Sequence, residues 1–356
     1  MNLKRKIKLK LEHDIELIRK EIFKKISPSN VKSIFLYGGY GRDEGSWVIE
    51  YDNVKPYNDY DIAIMVIKKA SPKTLKSIEK ELKKKLEVKW IDICQYRKTR
   101  LRLFRVSIRN YDFKYASKCI YGDETYLRYI PNMDARSIPL KDISTLYKTR
   151  LWTLIGSFPL YGLKEMSSDD EMLFRNQMAK CVLAIVDCVL IQKNKYNPSY
   201  IERVKIISSK SEDRKLTALA NWAIEEKLHP KFVGMKEEEI VEKYTSIRAL
   251  FFKYFFQGLS VYHNRTIEKP SDLNRYILYT PINLIKENIK YYIFGNKRDK
   301  QQKYLTIIQA YIAYYYPNLP SDLITDIKKI MNEKFQYKSS DLEKIRLKVA
   351  DLRVNI

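Results

Sequence analysis

The sequence predicts an α+β fold: a small mixed β-sheet flanked by helices near the N-terminus, followed by a mostly α-helical C-terminal region. Strand-like alternation falls mainly within the first third of the chain, where it is interleaved with helical segments. Beyond Pro139, apolar residues recur at helical spacing, for example in 151–155, 178–192 and 240–256. At 356 residues the chain exceeds the usual size of one domain. We therefore expect one domain at 1–125 and a helical domain at 126–356.

The first elements are a helix, a short strand and a glycine turn. Residues 3–23 carry apolar side chains at helical spacing among charges, which predicts an amphipathic helix. Residues 33–37 form a short strand that runs directly into Gly38 and Gly39, where the backbone is free to turn tightly. A strand followed by such a turn is a geometry that suits phosphate binding.

Two more strands and a helix complete the predicted sheet region. Residues 45–57 look like an insertion or loop, and 59–67 then alternate as a second strand. Ser71 is an N-cap followed by a proline at the first helical position, and this helix continues to about residue 86. Residues 87–96 are the third strand. The order of elements predicts a small α/β sheet domain.

Carboxylates stand out in two of these strands. Asp59 and Asp61 are two residues apart, so their side chains leave the same face of the strand, about 7 Å apart along it. Asp92 lies within an otherwise apolar strand, where a charge is unfavourable unless it is paired or bound to metal. If the two strands are neighbours, the three carboxylates converge, while the opposite face of the second strand is core: Tyr60, Ile62, Ile64 and Val66.

Three converging carboxylates suit Mg²⁺ or Mn²⁺, which prefer oxygen ligands and keep positions for water and phosphate. Two such ions can activate an attacking hydroxyl and stabilise a leaving pyrophosphate. The N–H groups of the glycine turn can approach phosphates closely, especially if residues 40–44 begin a helix. Arg42 has two open interpretations, a phosphate contact or a first-turn residue paired with Asp43 or Glu44.

The strand leading to Gly38-Gly39, the pair Asp59-Tyr60-Asp61 and Asp92 on a later strand together resemble the DNA polymerase β-type nucleotidyltransferase superfamily. The resemblance covers roughly 30–125. It implies transfer of a nucleoside monophosphate from a nucleoside triphosphate such as ATP to an acceptor hydroxyl, with release of pyrophosphate. By resemblance, Asp59 and Asp61 bind both metals, Asp92 binds the catalytic metal, and Gly38 and Gly39 hold the triphosphate. The nineteen residues between Gly39 and Asp59 exceed the usual gap.

The resemblance also assigns the two predicted domains: 1–125 would be the nucleotidyltransferase catalytic domain, and 126–356 a helical domain that binds acceptor or nucleotide. Asn197, Tyr200 and Arg203 are expected to line the acceptor or nucleotide side of its cleft.

The net charge of +24 favours a polyanionic acceptor, so an RNA 3′ end is the leading hypothesis. A compositional bias of the source genome explains the charge equally well. A basic stretch follows the third strand and is either an ordinary solvated surface or a surface that attracts triphosphate or nucleic acid. Two alternatives stay open: a small hydroxylated acceptor such as a sugar or aminoglycoside, and a catalytically inactive nucleic-acid-binding module of the same fold. The basic stretch comprises Arg97, Lys98, Arg100, Arg102, Arg105 and Arg109.

Composition argues against disulfide bonds, zinc or histidine-based sites, membrane spans and secretion. Four cysteines without CxxC spacing indicate reduced thiols and a cytoplasmic protein. Three widely separated histidines make a zinc site or histidine-based triad unfavourable. No apolar run reaches the roughly 20 residues of a membrane span, and the basic start lacks the features of a secretory signal.

Overall fold

The computed structural model describes residues 2–50, 53–57, 59–88, 90–157, 166–272, 297–316 and 318–352. Its architecture is α+β, with a small mixed sheet flanked by helices and a helical C-terminal part, as predicted. The chain forms two compact units. The first comprises Met1–Pro139 and Lys193–Lys231, and the second comprises Leu140–Gln192 and Phe232–Ile356. The predicted division into 1–125 and 126–356 stays a prediction about function, whereas the folded units interleave along the chain.

The first unit contains the sheets and their flanking helices. In chain order its elements are α1 (Leu3–Phe23), β1 (Val31–Tyr37), α2 (Gly38–Gly41), β2 (Trp47–Glu50), β3 (Asn53–Pro56), β4 (Tyr60–Val66), α3 (Pro72–Leu86), β5 (Ile91–Tyr96), α4 (Lys98–Leu101), α5 (Ile108–Tyr115) and β6 (Lys118–Gly122), with α8 (Tyr200–Lys210) and α9 (Arg214–Leu228) from the later segment.

The main sheet is mixed and has the strand order β5-β4-β1-β6. β4 and β5 are parallel, whereas β1 pairs antiparallel with both β4 and β6. In this register Tyr37 lies opposite Asp61, and Asp61 lies opposite Asp92. The second and third strands are therefore neighbours, which was the condition for convergence of the acids, and two of the three predicted acids are adjacent.

The two faces of the main sheet have separate apolar cores. One core packs the face that carries Tyr60, Ile62 and Ile64 against α1 and α3. The other packs Phe35, Ala63 and Met65 against residues that follow β5, among them Phe113. Burial of such side chains is the main favourable term in folding, at about 1.5–3 kcal/mol for each fully buried large apolar side chain. The predicted core face of β4 is confirmed.

Local sequence signals explain where the flanking helices begin and end. Ser71 caps α3 by accepting a hydrogen bond from the Thr74 N–H at 3.1 Å, and Pro72 occupies its first position. α3 ends where Glu87 adopts the left-handed conformation, with φ of 54°. α1 matches the predicted helix and buries Ile18 and Ile22.

Two parts of the first unit differ from the prediction. The segment 45–57, predicted as an insertion or loop, contains the antiparallel pair β2 and β3. The ring of Trp47 from this hairpin is buried and packs edge-on against Tyr40, with 5.2 Å between ring centroids. β6 was not predicted either, because its five residues follow a basic stretch and show no clear alternation.

The second unit is helical in the residues that the structure describes. The helices predicted around 151–155, 178–192 and 240–256 are confirmed. Tyr311–Tyr315 lie on a helix, and Tyr314 contacts Phe252 edge-on at 4.9 Å, as expected for packing aromatics. The sequence predicts helix-packing aromatics, rather than a base-stacking platform, both there and at Tyr291 and Tyr292, which lie outside the described residues. The helices are α6 (Lys141–Ser157), α7 (Ser168–Gln192), α10 (Glu237–His263), α11 (Lys297–Tyr315), α12 (Ser321–Phe335) and α13 (Leu342–Asp351).

None of the helices in the described ranges has the length and apolar character required to cross a bilayer. All four cysteines are free thiols.

Candidate active site

The first feature of the site is a row of three side chains across the sheet. Tyr37 on β1, Asp61 on β4 and Asp92 on β5 are register partners, and partners on adjacent strands point to the same face. Asp59 lies directly before β4, which begins at Tyr60. The structure thus brings the three predicted acids to one end of one face. Asp59 and Asp61 are half-buried, and Asp92 is exposed.

Asp61 lies in a strongly unfavourable environment for a negative charge. Burial, followed by the charges of Asp59 and Asp92, raises the pKa of Asp61 to about 8, although Arg42 and Lys227 oppose the shift. Such a site gains from any cation that enters it, because both desolvation and like-charge repulsion are then offset.

The glycine turn contacts Asp61 directly. Gly38 has φ of 64°, and a Cβ at this position would lie 1.9 Å from Asp61 Oδ2. Only glycine therefore allows both this backbone conformation and the close approach of the carboxylate. A Cβ on Gly39 would lie 3.1 Å from the Glu44 carbonyl oxygen and 3.6 Å from Lys227 Nζ.

The condition that residues 40–44 begin a helix, under which the glycine turn would bind phosphate best, is not met. The helical turn is α2, it ends at Gly41, and Asp43 then adopts φ of 58°. The Glu44 N–H donates to the Gly39 carbonyl at 2.9 Å, which closes the turn. After α2 the chain therefore turns away, and Glu44 and the hairpin β2–β3 follow.

Tyr37 connects the row of acids to a basic side chain. Its hydroxyl donates to Asp92 Oδ2 at 3.3 Å, and the Arg109 guanidinium donates to the same hydroxyl. Burial, followed by the charges of Cys94, Asp61 and Asp92, raises the pKa of Tyr37 far above its ordinary value. Tyr37 therefore stays protonated and holds the Asp92 carboxylate in one orientation.

Arg42 is buried rather than solvated. Its Nη1 lies 3.1 Å from Asp112 Oδ2, and its Nε lies 3.2 Å from Glu44 Oε2. Its guanidinium also lies over the Tyr200 ring, 4.3 Å from the centroid. Pairing with Glu44 was one of the two interpretations of this residue, and the structure contains that pair. A contact between Arg42 and a nucleotide stays a prediction.

The segment 193–231 is anchored beside the glycine turn by two acids. The Glu44 carboxylate accepts hydrogen bonds from Ser199 Oγ at 2.6 Å, the Tyr200 N–H at 2.9 Å and the Ile201 N–H at 3.1 Å. Asp112 accepts from the Tyr196 hydroxyl at 3.0 Å.

Arg203 is the most deeply buried member of this anchor. It is 1 % exposed, and its Nη2 lies 3.2 Å from Asp112 Oδ2. Tyr200, which was expected to line a cleft with Arg203, lies between the Arg203 and Arg42 guanidinium groups.

Lys227 is the residue of the site that sequence reasoning missed. It is 5 % exposed on α9, and its ammonium group donates to Ser46 Oγ at 2.8 Å. The same ammonium faces Gly39 and lowers the pKa of Asp61. No sequence signal marks this lysine, because it is one of many in the chain and is 188 positions beyond Gly39.

The acids have the chemistry of a divalent-cation site, although no closed metal-binding geometry is formed. Within the described ranges, no three His, Cys, Asp or Glu side chains are grouped closely enough to hold a metal ion. The available donors are carboxylate oxygens, which Mg²⁺ and Mn²⁺ prefer. Burial, followed by the charges of Asp59 and Asp92, raises the pKa of Asp61, and a cation would offset both causes. Binding of such an ion by Asp59, Asp61 and Asp92 stays a prediction.

No protein-family model matches the chain. No curated protein matches it in sequence. Among solved structures, the chain is similar to spectinomycin adenyltransferase AAD(9) from Enterococcus faecialis, whose structure contains ATP and spectinomycin. The match has 13 % identity and a TM-score of 0.42, and it covers 67 % of this chain and 98 % of that chain.

Proposed function

We propose that the protein is a metal-dependent nucleotidyltransferase that moves a nucleoside monophosphate from a nucleoside triphosphate to an acceptor hydroxyl. One observation carries the proposal: Asp61 lies against the Gly38 turn on one side and in register with Asp92 on the other. A carboxylate cluster is thereby joined to a backbone turn without side chains, which is the combination that triphosphate and its cation require.

The glycine turn and Lys227 bind the triphosphate in this proposal. The N–H groups of Gly38 and Gly39 are close enough to phosphate oxygens because no Cβ intervenes. The Lys227 ammonium, held beside Gly39 by Ser46, supplies the positive charge that the turn lacks. Its burial strengthens this electrostatic interaction relative to the same contact in water.

Asp59, Asp61 and Asp92 hold Mg²⁺ or Mn²⁺, which when bound neutralises charge on the phosphates and polarises the reacting oxygens. Asp92, the exposed acid of the three, faces the acceptor. It accepts the proton of the acceptor hydroxyl, whose oxygen forms a bond to the α-phosphorus. The bond from that phosphorus to the bridging oxygen breaks, and pyrophosphate leaves with the electron pair. Tyr37 keeps Asp92 oriented throughout.

An RNA 3′ end is the acceptor that we propose, supported by the net charge of +24. A small hydroxylated acceptor, such as a sugar or an aminoglycoside, is the alternative within the same reaction. The alternative in which this reaction does not take place is an inactive nucleic-acid-binding module of the same fold.

The test replaces the central acid. Asp61→Asn removes the charge and nearly preserves the shape, so we expect transfer to fall by at least about a thousandfold with the fold retained. The assay follows pyrophosphate release and the transfer of label from each α-labelled nucleoside triphosphate into cellular RNA or a small-molecule extract. Asp134→Asn is the matched control, because Asp134 is an exposed acid of the same unit paired with Arg136.

The outcomes distinguish transfer to RNA, transfer to a small molecule and an inactive binding module. Label in RNA with wild type and Asp134→Asn, but not with Asp61→Asn, supports terminal nucleotidyl transfer to RNA. Label in a small molecule favours the alternative acceptor. If pyrophosphate release is equal for wild type and Asp61→Asn, the carboxylate site proposed here is wrong.

A further inference from the structure

A basic pocket lies next to the row of acids, on the segment that follows β5. It has a volume of about 790 Å³, and Tyr96 at the end of β5 forms one wall. Four arginines line it, and all four are exposed: Arg100, Arg102, Arg105 and Arg109.

The positive charge of this pocket is not balanced within the part of the chain that the structure describes. There, no carboxylate forms an ion pair with any of the four arginines, whereas the buried Arg42 and Arg203 both have acidic partners. Two cations lie over the Tyr129 ring beside the pocket: Lys98 Nζ is 3.9 Å from the ring centroid and the Arg102 guanidinium is 5.6 Å from it. Lys98 adds to the positive charge of this surface. Four guanidinium groups around one cavity, none with an acidic partner among the described residues, create a strong local preference for anions.

The pocket is connected to the proposed catalytic acids through the sheet. Arg109 donates to the Tyr37 hydroxyl, which in turn donates to Asp92. Tyr96 and Asp92 are on the same face of β5, four residues apart, which is about 13 Å at about 3.3 Å per residue. That distance equals about four stacked nucleotides at about 3.4 Å each.

We propose that this arginine pocket binds the phosphodiester backbone of a single-stranded RNA acceptor, upstream of a 3′ end that lies at Asp92. The inference rests on the proposed function and names the acceptor class of the same site. An aminoglycoside acceptor is disfavoured, because its ammonium groups would face four guanidinium groups without an intervening carboxylate. The triphosphate has its own positive contact at Lys227 beside Gly39, so the pocket is a second anion site.

The experiment measures binding without catalysis. Fluorescence anisotropy follows a labelled single-stranded RNA of about twelve nucleotides, in EDTA and without nucleotide, over a series of salt concentrations. The pocket variant is Arg102→Gln with Arg105→Gln. The matched control is Lys80→Gln with Lys84→Gln, which removes the same charge from a second basic surface on α3. All four side chains are exposed, so we expect all variants to unfold at the wild-type temperature.

We expect the pocket variant to bind RNA about tenfold more weakly or worse. Its slope of log Kd against log salt should fall by about 1.4, at about 0.7 for each of two lost phosphate contacts. The control should keep the wild-type slope. Equal weakening in both variants would overturn the proposal in favour of a diffuse field, and wild-type binding by the pocket variant would overturn it outright. Displacement of RNA by ATP in one-to-one competition would assign the pocket to triphosphate instead.

A second measurement distinguishes failure of this inference from failure of the proposed function. Wild-type transfer to acceptors of increasing length should show KM falling until the strand spans about four nucleotides, and the pocket variant should lose this length dependence with kcat retained. Pocket-dependent RNA binding without transfer to any acceptor would contradict the proposed function alone. Transfer to long and short acceptors with equal KM would contradict the inference alone.

Discussion

Gly38 illustrates how one residue joins backbone conformation to chemistry. Its positive φ costs an ordinary L-residue about 1–2 kcal/mol, and its missing side chain leaves the space that Asp61 Oδ2 occupies. The conformation and the contact are independent requirements: the conformation disfavours a residue with a Cβ, and the contact excludes one unless the Asp61 carboxylate moves.

Gly38→Ala should therefore damage activity more than stability. The new methyl group must displace the Asp61 carboxylate, and a shift of about 1 Å in a reacting group lowers activity by about a hundredfold. We expect this loss of transfer together with a decrease of about 1–2 kcal/mol in the free energy of unfolding.

Gly156→Ala is the control, because Gly156 is on α6 and the nearest atom to its Cβ would be 3.7 Å away. That variant should be as active and at least as stable as wild type. Near wild-type transfer by Gly38→Ala would refute the assignment of the glycine turn.

The packing of α1 on α3 combines an apolar contact with ion pairs. Glu21 on α1 is buried, and Lys24 Nζ and Lys85 Nζ lie 2.8 Å and 2.5 Å from its Oε1. Burial raises the pKa of Glu21, but the hydrogen bonds and charges of the two lysines outweigh this and leave the pKa lowered. The helix pair therefore contains a carboxylate that favours its ionised form.

A lowered pKa of Glu21 predicts the pH dependence of stability. The ionised group stabilises the folded state above its unfolded pKa, and this contribution disappears as the pH falls through the folded value. Glu21→Gln should lower the free energy of unfolding at pH 7 by about 0.5–1 kcal/mol, a small effect because both ammonium groups remain partly in water. The difference from wild type should shrink as the pH falls below the ordinary pKa of a glutamic acid and through the lowered pKa of folded Glu21.

Urea unfolding across this pH range measures the effect. Glu16→Gln is the control, because Glu16 is on the same helix with its side chain 68 % exposed and paired only at the surface with Arg19. A difference between Glu21→Gln and wild type that persists unchanged to pH 3 would show that the charge of Glu21 does not matter.

The first unit is assembled from two stretches of chain, and ionic contacts join them. Asp112 on α5 lies within 3.2 Å of both Arg42 Nη1 and Arg203 Nη2, and these arginines are 6 % and 1 % exposed. Glu44 caps the start of α8 in the same region. Because α9 and its Lys227 follow α8, this anchor also controls the position of the proposed phosphate contact.

Asp112→Asn should weaken the attachment of the segment 193–231 to the rest of the first unit. Removing the anion leaves two buried guanidinium groups poorly paired, which we expect to lower the free energy of unfolding by about 2–3 kcal/mol. This decrease is smaller than the one expected for a fully buried ion pair, because Arg42 retains its second acidic partner, Glu44. Hydrogen exchange should accelerate in α8 and α9, and the KM for nucleoside triphosphate should rise.

Asp43→Asn is the control, because Asp43 is an exposed acid paired with Lys118, and asparagine tolerates its positive φ. Unchanged exchange in α8 and α9 of Asp112→Asn would show that the apolar contacts alone hold this segment.

Signals carried by neighbouring residues were sufficient to predict much of this protein. The alternation in 59–67 predicted which face of β4 is core, and the Ser71-Pro72 pair predicted where α3 begins. The convergence of Asp59, Asp61 and Asp92 was predicted only on the condition that the second and third strands are neighbours, and the resemblance added the glycine turn to them. The predictions for the β4 face and the α3 start were local. These predictions succeed because periodicity, caps and strand faces depend on interactions within a few residues.

The remaining features depend on contacts between distant residues, which local patterns do not contain. Arg42 is buried because Asp112 and Tyr200 surround it, and the segment 45–57 forms a hairpin because Trp47 packs on Tyr40. Lys227 reaches Gly39 only because 193–231 returns to the first unit. Each depends on long-range packing and on the desolvation of charges by that packing, so their roles could be recognised only after the chain was folded.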